Sequence, residues 1–394
     1  MKQQTLSGKL LHDLKNRGFT AWITAFALLA FYAMLYYTDF VDPTYDPKTG
    51  MGMIDRWAEA VFSFLPTRAD GSALRVSKWT LYGGLYTIGI LLGGAYMIAK
   101  YRHNPYQVVR TSVVMFVQTS FGFSIPILLK FFHQPEYYFS YFWPLKFDYL
   151  TPGTILYQPL PFVLYSFFGS LVLVPILTLL FGKRWYCSWV CGCGGLANTF
   201  GEPWRHLSSK STAAWKFEKF SIHAVMGLAF FTTALYFIGH IAKMDAYPNI
   251  KEATIFVQRY YGLIVVAALS GVFGTGLYPL GGTRVWCRFF CPMAALLGLI
   301  QKLGRYRIRV KRDMCISCGM CSTYCEMGID VRAYAQGNQS FTRASCVGCG
   351  LCAEVCPRGV LRLENVWRKD AQELSMTNLL DESWKGDRTA IASF

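Results

Sequence analysis

Eight cysteines between residues 315 and 356 repeat one spacing, C-x2-C-x2-C-x3-C: first Cys315, Cys318, Cys321 and Cys325, then Cys346, Cys349, Cys352 and Cys356, with Pro357 after the last. Three thiolates at two-residue gaps wrap one face of an iron–sulfur cubane, and in two-cluster ferredoxins the fourth ligates the other cluster. The spacing therefore predicts Cys315, Cys318, Cys321 and Cys356 on one [4Fe–4S] cluster, and Cys346, Cys349, Cys352 and Cys325 on a second. Zinc, the main metallic rival, takes one or two C-x2-4-C pairs per site. Disulfides would leave this spacing to accident. Glu326 follows Cys325, where a ferredoxin usually has Pro. That exchange is expected to alter the local backbone or the cluster potential and to leave the thiolate in place.

A second pattern supplies four more thiols. Arg184-Trp-Tyr-Cys187-Ser-Trp-Val-Cys191-Gly returns a hundred residues later as Arg284-Val-Trp-Cys287-Arg-Phe-Phe-Cys291-Pro, and Gly182 and Gly282 match as well. On a helix, C-x3-C sets two thiols one turn apart on one face. Two pairs brought together offer Cys187, Cys191, Cys287 and Cys291 to a third cluster, to soft copper or to zinc. Redox-active disulfides or buried, inert cysteines are the alternatives. Cys193 has no counterpart in the second copy and reads as a spare thiol or an alternative ligand.

The elements that must hold these residues are membrane helices. The chain is 53% hydrophobic and 16% charged, against ~25% charged in soluble proteins. Uncharged runs predict six spans near 19–37, 79–99, 111–132, 161–181, 220–242 and 261–280, each close to the ~20 residues a bilayer requires. No cleavable leader is evident, so the first span reads as a retained anchor. Residues 1–18, 100–110, 182–219 and 282–312 carry 21 Lys and Arg against 3 Asp and Glu, whereas the alternate loops carry 10 of each. The positive-inside rule then places both termini and the cysteine-rich stretch in the cytoplasm of a multi-pass inner-membrane protein. This distribution accounts for the net charge of +16 without a nucleic-acid partner. Lys302 to Arg312 form a basic collar suited to anionic membrane lipid.

Smaller features follow the same plan. Ile54, Trp57, Ala58, Val61, Phe62 and Leu65 predict a surface-lying amphipathic helix that stops at Pro66. Tyr137–Tyr149 reads as an interfacial aromatic belt, and Gly89 and Gly93 give the second span small-xxx-small packing. The copies of the C-x3-C motif each follow a span in the same direction, as in parallel repeats. Haem would need paired histidines at one depth; His133 and His240 alone offer such a pair. Phosphate-binding glycine loops are absent.

The combination of two C-x3-C(P) motifs at span ends and two ferredoxin motifs resembles the NapH/NosR/CcoG polyferredoxin family, over residues 160–365 or so. The chain departs from it at Gly192, where Pro is expected, and its longest outer loop, about forty residues, leaves no room for the flavin domain of NosR-like members. Its size is nearest NapH. The expected fold is an all-α polytopic membrane bundle of about six helices with a C-terminal cytoplasmic two-cluster ferredoxin-like α+β domain. The expected parts are an N-terminus at 1–18, a six-helix domain at 19–304, a ferredoxin domain at 305–366 and a tail at 367–394. The resemblance implies electron transfer between a quinol pool or a cytosolic donor and a partner, within a respiratory redox complex with other redox subunits. The alternative it leaves is a copper-reducing or metal-handling assembly factor. Quinol oxidation and Cu(II) reduction are the two reactions at stake, and no residue is assigned as a general acid or base.

Overall fold

A computed structural model of the chain describes residues 5–6, 9–10, 18–46, 51–63, 76–151, 158–241 and 248–366. Six of its helices are long and apolar enough to cross a membrane: Phe19–Asp39, Lys78–Lys100, Pro105–Phe131, Leu160–Phe181, Thr212–His240 and Glu252–Gly276. Their outward faces carry large apolar side chains such as Phe26, Leu92, Phe116 and Phe220, as a bundle solvated by lipid requires.

Three spans, the third, fifth and sixth, begin earlier than the uncharged runs predict, the third and fifth for one reason. Arg110 and Glu218 read as loop charges, yet both are buried against protein: Arg110 faces Asn198, and Glu218 accepts from Arg288 Nε at 2.7 Å. The third span starts at Pro105, whose missing N–H costs nothing in a first turn, behind Asn104, which caps Gln107 N at 3.3 Å. Inside the bundle, wide π turns occupy Ser120–Ser124 and Gly169–Leu173, immediately before Ile125-Pro126 and Val174-Pro175. A proline ring would collide with the carbonyl four residues back in an α-helix, and the wider turn relieves that collision.

The helix after the first span runs Met53–Val61 and leaves Trp57 and Val61 exposed, as a surface-lying helix should. It ends before the expected stop; Leu65 and Pro66 lie outside the described residues. Buried Asp55 locks it to the second span by accepting from Lys78 N at 2.7 Å. Gly93 of that span lies directly against Phe200, where a Cβ would come within 2.4 Å of the backbone nitrogen.

The aromatic stretch expected at the interface folds inward instead. Tyr137 stacks on Tyr149, Trp143 N–H donates to Ser170 Oγ at 3.0 Å, and the Trp143 indole donates to Thr233 Oγ1 at 3.0 Å. Tyr186 OH reaches up to the Ser140 carbonyl at 2.9 Å. Non-helical backbone is tolerated at this depth because protein encloses it.

After the last span the chain forms an antiparallel pair, Tyr306–Val310 with Leu361–Asn365, in the register Tyr306↔Asn365 to Val310↔Leu361. Short helices Met320–Thr323, Val331–Gln336 and Leu351–Glu354 lie between them. Gly182 and Gly282 end their spans in the same left-handed, extended geometry, φ 70° and ψ 177° against φ 86° and ψ 171°. At Gly182 a Cβ would meet Tyr306 Cβ at 2.6 Å. Gly182→Ala is therefore expected to destabilise by about 1–3 kcal/mol from the backbone alone, with overpacking added. Thermal unfolding in detergent should show a lower midpoint; an unchanged midpoint would mean that this turn does not anchor the strand pair.

Candidate metal centres

Both cysteine runs contribute to the outermost cavity. Cys315, Cys318 and Cys321 line a surface-open cavity together with Cys356, and Ile316, Arg332 and Arg358 form part of its wall. Cys318 is exposed. The second run lies deeper: Cys346 and Cys352 are buried, and Cys352 is in electrostatic range of Cys349, Cys346 and Cys325, and of Cys321 from the first run. Each exchanged cysteine accepts a backbone N–H from four residues on, Ile329 N to Cys325 Sγ at 3.4 Å and Val360 N to Cys356 Sγ at 3.3 Å. Tyr306 OH sits 3.4 Å from Cys346 Sγ. Hydrogen bonds to cluster sulfurs are one of the levers on an iron–sulfur potential.

The structure also gathers the C-x3-C thiols, with Cys291 in electrostatic range of Cys287, Cys191 and Cys187. It does so by a different local geometry from the single helix expected. In each copy a short helix carries the first cysteine, Arg184–Cys187 or Val285–Phe289, and the second cysteine is the extended N-cap of the next helix, Gly192–Asn198 or Pro292–Ile300. Pro292 enforces this in the second copy, since the residue before proline avoids the α region. The first copy has Gly192 because space is short: a Cβ there would lie 2.5 Å from Tyr141 OH and 3.0 Å from both Gln118 Oε1 and Tyr86 OH. Cys193 lies beside Cys191 rather than in the second copy's pattern.

All four C-x3-C cysteines are buried. Burial pushes the Cys187 and Cys287 thiols up to about 11. A reactive redox cysteine needs the opposite environment, one that lowers its pKa. A metal that binds thiolate supplies the missing drive by displacing the proton.

Cations converge on the same region. Lys183 is fully buried and within electrostatic range of Cys187 and Cys346. Arg284 donates from Nη1 to the Cys187 carbonyl at 3.2 Å and lies 3.6 Å from Cys287 Sγ. Arg110 donates to the Cys349 carbonyl at 3.3 Å. Among the described residues, Arg110 Nε and Nη2 and Arg284 Nε have no hydrogen-bond partner. Buried guanidinium groups left short of acceptors match a site designed around anions, and a cubane with four thiolates is one. The donor set and its surroundings fit iron–sulfur clusters.

The second centre faces the C-x3-C motifs. Ser188 Oγ donates to the Val347 carbonyl at 2.7 Å, Tyr106 OH to Gly348 at 3.0 Å, and Gln107 Nε2 to Cys349 at 2.8 Å. Gln301 Nε2 reaches the Cys346 carbonyl at 3.1 Å. The loops around the second cysteine run are thus pinned to the membrane helices by hydrogen bonds to their carbonyls.

Glu326 occupies the centre of a buried ionic network. Its carboxylate accepts from Arg205 Nη1 at 2.7 Å and Arg284 Nη2 at 3.1 Å, and Arg205 also binds Glu202 and Asn198. Lys100 and Tyr101 close the far end on Glu202 at 3.3 and 2.8 Å. Burial alone would raise the Glu326 carboxyl; Arg205 and then Arg284 outweigh it and hold the group below its usual range. Sequence reasoning marked Glu326 and Arg284 separately and missed Lys183, Glu202 and Arg205. The available signal was charge next to membrane spans, which is costly unless it is paired or functional. His133 and His240 both lie exposed at the ends of their spans.

Comparison with known proteins finds iron–sulfur family models over both sets of cysteines. Residues 308–363 match the 4Fe-4S dicluster domain family, and residues 163–210 and 261–311 match the 4Fe-4S binding domain family, whose two segments contain the two C-x3-C copies. YccM of Escherichia coli (strain K12) is 25% identical over 41% of this chain and 46% of its own. The methylamine utilization ferredoxin-type protein MauN of Methylobacillus flagellatus is 29% identical over 39% of this chain and 52% of its own. The regulatory protein NosR of Pseudomonas aeruginosa is 23% identical over 44% of this chain and 23% of its own. The chain thus spans about half the length of YccM and MauN and about a quarter of NosR. No solved structure matches it.

Proposed function

We propose that the chain is a membrane iron–sulfur electron-transfer protein related to the NapH/NosR-type polyferredoxins, and that it carries electrons along three [4Fe–4S] stations. Cys315, Cys318, Cys321 and Cys356 hold the outer cluster. Cys346, Cys349, Cys352 and Cys325 hold the middle one. Cys187, Cys191, Cys287 and Cys291 hold the third, at the membrane. The observation that carries this reading is the middle position of the second run, whose loops bind the C-x3-C motif through Ser188 while the first run opens to solvent at Cys318.

Each cluster supplies one-electron chemistry; the protein supplies order, insulation and potential. Ser188, Tyr106, Gln107 and Gln301 fix the middle loop against the bundle. Lys183 and Arg284 place positive charge beside the membrane-side thiols, where added electron density needs it. Residues 19–304 form the membrane domain and 305–366 the ferredoxin domain, on the cytoplasmic side by the loop-charge asymmetry. The membrane end faces a quinol pool, and the outer end a redox subunit or cytosolic donor of a respiratory complex in the inner membrane. Quinol oxidation releases two electrons and two protons; bound clusters would supply one-electron acceptors for the electrons, and the protons would leave to water.

The test is anaerobic addition of a short-chain quinol, and separately of Cu(II), to protein purified with its clusters. Quinol is expected to bleach the cluster absorbance and raise the reduced EPR signals, and its oxidised analogue to reverse both. If quinol does nothing and reduced protein instead converts Cu(II) to Cu(I) that stays on Cys187 and Cys287, the chain is a copper-reducing assembly factor.

A further inference from the structure

Glu326 is a glutamate at a position that turns ferredoxin chains with proline, and it is 1% exposed. A lone buried carboxylate there would be strongly destabilising. It persists because two arginines from different parts of the membrane domain meet on it. Arg205 comes from the turn after the first C-x3-C copy, and Arg284 stands three residues before Cys287. Ser208 Oγ adds a third tie, to the Glu326 carbonyl at 2.6 Å. The neighbouring Cys325 belongs to the middle centre. The guanidinium of Arg284 that binds Glu326 through Nη2 presents Nη1 to the Cys187 carbonyl and the Cys287 sulfur. One carboxylate is therefore in direct contact with the side chain that lies against the membrane-side thiols, and is covalently next to a ligand of the middle centre.

We infer that Glu326 is a positioning residue: it fixes Arg284 against Cys187 and Cys287, and its charge sets the potentials of the middle and membrane-side centres relative to each other. This rests on the three-station reading. Reduction adds negative charge to a cluster, so a nearby anion lowers its potential and a nearby cation raises it. Charges buried away from water are screened weakly, which makes such shifts large. The other charged groups facing this junction are Glu202, Arg110 and Lys100, with Lys183 in electrostatic range of Cys187.

The experiment is redox titration by EPR of E326Q, E326D, R284Q and R284K, with iron and acid-labile sulfide measured in every sample. E326Q is expected to raise the potential of the membrane-side centre so that its reduced-to-oxidised ratio at a fixed ambient potential rises at least tenfold, ~59 mV for one electron. R284Q is expected to lower it, and E326D and R284K, which keep the charges, to stay near the wild type. Opposite shifts at unchanged iron content are the signature of charge; a merely structural contact would move both variants the same way or strip both of iron. Same-direction shifts, or none, overturn the inference. If E326Q fails to assemble, R284Q against R284K decides it. If wild-type protein holds no third cluster, the three-station reading fails by itself, and the middle centre still answers: its potential rises in E326Q, or Glu326 sets nothing.

Discussion

Replacing Cys187 and Cys287 together with Ser is expected to remove about four irons per chain and one EPR species, and to leave the signals of the ferredoxin pair in place. The reasoning is local. The four C-x3-C thiols lie in one buried cluster, away from the exposed edge of the outer centre. Serine cannot supply the thiolate, and each copy keeps its turn through backbone bonds, Cys191 N to Tyr186 O at 2.8 Å and Cys291 N to Trp286 O at 3.0 Å. The fold should therefore survive. Loss of all signals together would mean that the membrane-side cysteines hold the ferredoxin unit up rather than a cluster of their own. No change in iron would assign them to copper or to structure.

The second large effect reverses what chain order alone would give. Cys356→Ser is expected to abolish the outer cluster, whose other ligands are Cys315, Cys318 and Cys321, while the cluster of its own run remains. Cys325→Ser should do the converse. The cavity that Cys356 shares with the first run carries this prediction. The two centres also differ in exposure, so their EPR signals should respond differently to a soluble paramagnetic relaxer: the outer one, with Cys318 at the surface, relaxes more strongly. If Cys356→Ser instead removes the less accessible signal, the two runs do not exchange ligands.

How much of this was legible in the sequence depends on whether the cause was local. Ferredoxin spacing and apolar runs are local, so the ferredoxin motifs and the six spans could be read directly. The C-x3-C copies were found by repetition, but their geometry was not. The rule of one helical turn ignored Pro292, which forces Cys291 out of the helix and makes it an N-cap. Gly192 looked like a lapse from the pattern until Tyr86, Gln118 and Tyr141, from three separate segments, were seen to fill the space of its side chain. Tyr137–Tyr149 has the composition of an interfacial belt, and only the hydrogen bonds of Trp143 and Tyr186 show that it folds inward. Arg110 and Glu218 read as loop charges because nothing local reveals a partner 88 or 70 residues away. The network on Glu326 joins residues from 100 to 326. Such long-range pairing has no period to detect.

The most direct measurement is iron and acid-labile sulfide per chain on anaerobically purified protein, with EPR of the reduced sample. The account predicts about twelve irons and twelve sulfides, in three [4Fe–4S] clusters. About eight of each would contradict it, confining the clusters to the ferredoxin runs and leaving no iron–sulfur station among the membrane-side cysteines.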